Sequence, residues 1–190
     1  CDGGQHPVGR HQHRGKVRFA MKIARALCGA ALAAALWTEA AADPIVLATR
    51  EDLRGWEPVG QVAIGDSGFC TGVLIAGDLV LTAASCVITK DGTPVAADSI
   101  RFRAGLIEGV ALAESRVRRT IVPRDYRWLD PVPTEMLRRD VALLELAEPV
   151  ASSLIAPFAI ALPAETGDFA AVAYDEGPVE APALHDDCSL

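Results

Sequence analysis

Beyond residue 42 the sequence is nearly without histidine: three of its four, His6, His11 and His13, lie in the first twenty residues, and His185 stands alone after them. Cysteine thins in the same way, leaving Cys70, Cys86 and Cys188 of five. Ligand types this sparse, with no cysteine cluster at metal-ligand spacing, exclude a zinc-type centre, and no metal or other cofactor is expected. Long apolar runs are also missing. The stretch Ala26 to Trp37 falls short of the roughly 20 residues a membrane helix needs. Basic charge is scarce past Ala42, where 12 lysines and arginines face 23 aspartates and glutamates, a net charge of −11. An acidic surface of this kind excludes nucleic acid or an anionic membrane as the main partner.

What is present is a chain of 190 residues with 51% apolar and 23% charged content, enough for one or two small globular domains. Residues 1–20 combine their three histidines with Arg10, Arg14, Lys16 and Arg18 and show no apolar periodicity, so they read as an unstructured leader without a site. Residues 21–42 read as a secretory signal: Met21-Lys22-Ile23-Ala24-Arg25 is the positive start, Ala26 to Trp37 the apolar centre, and Ala40-Ala41-Ala42 the small-residue cleavage site. Leu27 before Cys28 does not fit a lipoprotein box. Cleavage after Ala42 and a secreted or periplasmic location follow, with no membrane association once the signal is gone.

Residues 43–56, rich in charge around Pro44 and Gly55, read as an N-terminal arm or short pro-segment. Val59 to Ile64 reads as the first strand, with Gly65-Asp66-Ser67-Gly68 as its turn. Two apolar runs, Val73 to Ile75 and Leu79 to Leu81, flank Gly77-Asp78 and predict a β-hairpin. The hairpin continues into the small-residue turn Thr82-Ala83-Ala84 and ends at Cys86, sixteen positions after Cys70. A chain doubling back in this way brings the two cysteines within bonding distance, and a Cys70–Cys86 bridge is predicted. Further strands are expected at Ser99 to Ala104, where Ile100 and Phe102 alternate with Arg101 and Arg103, at Val110 to Ala113, and at Val117 to Val122. Arg116, Arg118 and Arg119 read as a solvated strand edge. Many short strands at regular spacing indicate an all-β sandwich or barrel.

The sequence Cys70-Thr71-Gly72, an apolar Leu74-Ile75 pair, and then Val80-Leu81-Thr82-Ala83-Ala84-Ser85-Cys86 resembles the trypsin-like serine endopeptidases, especially the compact bacterial secreted ones. A second stretch, Asp140-Val141-Ala142-Leu143-Leu144-Glu145-Leu146 followed by Pro149-Val150, resembles the family segment that carries the aspartate of the catalytic triad. The resemblance covers about Trp56 to Leu190. It implies a chymotrypsin-like antiparallel six-stranded β-barrel over 57–150, and a linker with the incomplete start of a second barrel over 151–190. It also implies proteins or peptides as substrates. Asp140 takes the triad aspartate position, and Ser85 stands where the family has its histidine. A hydroxyl cannot take up and return a proton near neutral pH as an imidazole does, so Ser85 is not competent as the general base.

After Val150 nothing resembling the family's Gly-Asp/Ser-Ser-Gly nucleophile turn follows before Leu190, and Cys188 is expected to find its partner in a further, absent stretch. His185 lies in the second-barrel region rather than beside Asp140. The favoured reading is a member of the endopeptidase family seen in truncated form and inactive as written. Two alternatives stand beside it: an exported pseudoprotease acting as a binding protein, and a single-barrel interaction module unrelated to proteases.

Overall fold

The computed structural model describes residues 43–65, 68–161, 167–175 and 180–189, with the backbone alone for 187–189. The expected leader (1–20), the signal (21–42) and the side chain of Cys188 lie outside the described residues. Among those described, nine strands follow in chain order: β1 (Ile45–Val46), β2 (Val59–Ile64), β3 (Phe69–Ala76), β4 (Leu79–Thr82), β5 (Ile100–Ala104), β6 (Ala113–Ile121), β7 (Ala142–Leu146), β8 (Asp168–Tyr174) and β9 (Pro182–Ser189). A single turn of α-helix, α1 (Thr134–Leu137), and two 3₁₀ turns complete them.

Six of the strands close into an antiparallel barrel in the order β2-β3-β4-β7-β6-β5. Period-2 patterning is what closes it, because alternate residues of every strand point to one interior. In β5, Ile100, Phe102 and Ala104 are buried while Arg101 faces solvent. In β7, Ala142, Leu144 and Leu146 are buried between two half-buried residues. Val62, Leu74, Val80, Phe102 and Leu144 are fully buried in the resulting core. On the outer face Arg118 and Arg119 both pair with Glu145, and Arg101 and Arg103 both pair with Glu114. These are surface pairs of small energetic weight.

The largest fully buried side chain, Phe102, fits because the strand beside it carries none at the point of contact. Gly60 is the register partner of Gly72 on one side and Ala104 on the other. A Cβ at Gly60 would lie 2.4 Å from Phe102 Cε2 and 2.7 Å from the Arg103 carbonyl oxygen. The ring has room to move elsewhere only by disturbing the core, and the carbonyl belongs to the paired strand.

The expected hairpin is formed by β3 and β4, with a bulge between Leu74 and Ala76. One expectation is corrected: Val110 to Ala113 and Val117 to Val122 are not successive strands. Glu108 and Gly109 adopt φ of 46° and 79°, folding Val110 back onto Ile107, and the strand begins only where Ala113 pairs with Ala104. From there β6 runs through to Ile121, with a bulge between Val117 and Arg119.

The remaining strands form a three-stranded sheet, β1-β9-β8. Residues 43–56 are integrated into it rather than free: Ile45 pairs with Leu184, and Leu47 N donates to the Pro182 carbonyl at 2.8 Å. Leu47 and Leu53 are buried with Ile107 and Ala181. Arg50 donates to the carbonyls of Gly105 at 2.5 Å and Val110 at 2.7 Å, fixing the turn described above. The sheet joins the barrel through Tyr174, whose amide donates to Thr71 Oγ1 at 2.8 Å and whose hydroxyl donates to the Leu106 carbonyl at 3.0 Å.

Replacing Gly60 by alanine is expected to lower the free energy of unfolding by about 1–3 kcal/mol, the usual penalty for overpacking a filled core. Urea titration followed by circular dichroism measures it, and an unchanged midpoint would mean that the Phe102 layer is not a fixed constraint.

Candidate active site

Strands β4 and β7 are neighbours, with Thr82 opposite Ala142. The chain leaving β4 and the chain entering β7 therefore emerge at the same end of the barrel, which brings Ser85 and Asp140 together from distant points in sequence. After Thr82 a 3₁₀ turn spans Ala84–Cys86. Ala84 is fully buried in the core at one end of the turn, and at the other Cys86 is bridged to Cys70 of β3 with Cα atoms 6.2 Å apart. Ser85 is held exposed between these anchors. On the β7 side, Asp140 N donates to the Leu137 carbonyl at 3.2 Å and Val141 N to that of Arg139 at 2.8 Å, a tight turn that aims the Asp140 side chain back at Ser85.

Both oxygens of Asp140 are engaged by this one residue. The Ser85 amide donates to Oδ1 at 2.7 Å and the Ser85 hydroxyl to Oδ2 at 2.9 Å. Arg139 next in sequence pairs instead with Asp125, so a half-buried carboxylate is satisfied here by neutral donors. Beneath the pair lies the buried Tyr126. Its phenol is raised above the ordinary 10.0, first by burial and then by the negative charge of Asp140. Cavities open on both sides. One of about 340 Å³ is lined by Asp140, Val141, Thr71, Val73 and Val172. Another of about 450 Å³ is lined by Ser85, the Cys70–Cys86 bridge, Phe69 and Ile88.

Of the residues expected at the site, Ser85, Asp140, Cys70 and Cys86 converge. His185 does not, being on β9 with Nε2 3.2 Å from Asp175 Oδ2. The backbone of Cys188 pairs with Phe169, and its side chain lies outside the described residues. Tyr126 is the member that sequence reading passes over. Its only sign is an aromatic residue closing the otherwise polar run after Val122. The letters Gly-Asp-Ser-Gly do occur in the chain, at Gly65 to Gly68, but they belong to the β2–β3 connection. Gly65 and Gly68 have φ of 48° and 121°, and Ile64 N donates to the Gly68 carbonyl at 3.0 Å. Asp66 and Ser67 lie outside the described residues. Among the described residues no three of His, Cys, Asp and Glu gather closely enough to hold a metal ion.

A closed six-stranded antiparallel barrel with a bridged turn and a carboxylate loop at one end defines a chymotrypsin-like fold. The family model described as Trypsin matches residues 49–172, most of the chain, and the protein belongs to that family. Among solved structures it is similar to a Glu endopeptidase determined in complex with MPD, with a TM-score of 0.56 and 17% sequence identity. That match covers 71% of this chain and 61% of the endopeptidase, so the chain spans less than two thirds of that protein's length. No curated protein matches it.

The chain has two tyrosines, and burial also drives the phenol of Tyr174 upward. A spectrophotometric titration of the native protein is therefore expected to show less tyrosinate at pH 10.0 than the unfolded chain shows there. Because each folded value lies above the unfolded one, the linked stability is complete below that value and is lost as pH rises through the folded ones. Asp140→Asn removes the charge beside Tyr126 and moves its ionisation to lower pH. An unshifted curve would show that Asp140 does not act on the phenol.

Proposed function

We propose that the protein is a secreted or periplasmic member of the trypsin-like serine endopeptidases. In this reading Asp140 occupies the triad aspartate position and Ser85 the triad histidine position, and the chain does not itself hydrolyse peptide bonds. The observation that carries this is the pairing of Ser85 N and Oγ with both oxygens of Asp140 at 2.7 and 2.9 Å. In a working triad the carboxylate orients an imidazole that shuttles the proton between nucleophile and leaving group. Here it orients a hydroxyl, which has no proton to exchange near neutrality. Loss of a triad histidine costs on the order of a million-fold in kcat in a well-studied hydrolase. On this reading the family's nucleophile, oxyanion hole and specificity pocket are not among residues 1–190. The natural ligands are proteins or peptides, and the reading requires no cofactor.

A second reading, an exported pseudoprotease acting as a binding protein, is supported by the same contact. The Ser85 amide would donate to Oδ1 whatever the side chain, but the hydroxyl adds a second donor that satisfies Oδ2, the oxygen a lost base would have left open. Casein hydrolysis by the full chain, assayed beside a Ser85→His variant extended through its downstream coding segment, tests both. The family reading expects activity only in the restored, extended protein, and the pseudoprotease reading expects none in either. Hydrolysis by the unaltered chain would overturn both.

A further inference from the structure

Beside the Ser85 cavity, and sharing Ile88 as a wall, lies a separate cavity of about 480 Å³ formed between the segment after the bridged turn and the loop that follows β6. Its lining is basic on a protein that is otherwise acidic: Lys90, Arg124 and Arg127 face one carboxylate, Asp91. That carboxylate already accepts hydrogen bonds from Thr89 Oγ1 and the Thr93 amide. Elsewhere several arginines are paired, Arg101 and Arg103 with Glu114, Arg118 and Arg119 with Glu145, and Arg139 with Asp125. Among the described residues, Lys90, Arg124 and Arg127 have no carboxylate within ion-pair distance.

The walls are also prearranged. Arg127 donates to the carbonyls of Arg124 at 3.0 Å and Tyr126 at 2.7 Å, which holds its own loop in shape. Lys90 Nζ sits 5.3 Å from the centroid of the Trp128 ring, so the aromatic face and the ammonium present one surface. Tyr126 lines the cavity too and links it to the Ser85–Asp140 pair.

We propose that this cavity binds an acidic segment of polypeptide, with side-chain carboxylates on Lys90 and Arg124 and the peptide body against Trp128. The volume lies in the range of ligand sites and exceeds what a single oxyanion occupies. Ile88 walls both this cavity and the Ser85 cavity, so the two lie side by side, which favours an extended chain that passes both. The net negative charge of the surrounding molecule disfavours an acidic ligand in general, and the cations at this opening offset it locally. Binding here is independent of hydrolysis and holds whether or not the barrel belongs to a working protease.

The test uses the full chain and a fluorescein-labelled hexaglutamate peptide, read by anisotropy at low ionic strength, with tryptophan emission recorded in parallel. Binding is expected, with an emission change that disappears in Trp128→Phe. The Lys90→Ala/Arg124→Ala double variant is expected to bind about tenfold more weakly, as for the loss of two partly exposed charge contacts. Arg54→Ala/Arg101→Ala, which removes two exposed cations elsewhere, is expected to bind as the unaltered chain does. No binding up to millimolar protein, or equal weakening in the two double variants, would overturn the proposal.

Discussion

The fold depends on a gap. Phe102 occupies the barrel interior at a level where Gly60 and Gly72 present no side chains and Ala104 presents only a methyl group. Gly60 leaves the space the ring fills, and Gly72, where a Cβ would lie 2.7 Å from Val62 and 2.8 Å from Val80, lets β3 close against the same core. Closure in turn sets the other seam, where β4 meets β7, and that seam decides which loops share an end of the barrel. The meeting of Ser85 with Asp140 is a consequence of register at Thr82 and Ala142, and register is a consequence of closure.

At that end of the barrel the electrostatics turn on Asp140. A carboxylate taken partly out of water is ordinarily matched by a cation or by several donors. Asp140 takes the second course: the adjacent cation, Arg139, is held by Asp125, and the donors come from one serine whose turn is pinned by a buried alanine and a disulfide. Tyr126 feels the result directly, since a buried phenol next to a fixed negative charge is held neutral. The local field at the barrel end is thus negative, and a few residues away around Lys90 and Arg124 it turns positive.

Much of this was legible in the sequence where local chemistry and global fold agree. Gly77-Asp78 between two apolar runs specifies a hairpin whatever surrounds it, and the alternation of Ile100 and Phe102 with arginines specifies a strand with one wet face. Asp140 and Ser85 were found through the motifs that surround them. What escaped depends on contacts far apart in sequence. Nothing near Tyr126 announces Asp140, and Val110 to Ala113 carries strand-forming residues that a left-handed pair at Glu108 and Gly109 diverts. β9 opens on a proline and runs through Asp186, which obscures its alternation, and β1 is only two residues long. Gly65 to Gly68 is the opposite case, letters of a catalytic motif in a strand connection, where spelling without context would mislead.

The pairing of Ile45 with Leu184 has a temporal side. Nearly the whole described chain lies between these partners, and a chain is made from its N-terminus onward. The barrel strands, from Val59 to Leu146, can close as soon as β7 is available, while β1 must wait for β9. During that interval the apolar side chains of Leu47 and Leu53 have no neighbours from the second sheet. Pairing β1 with β9 is therefore a long loop closure, the kind of contact whose cost is set by chain entropy rather than by local preference.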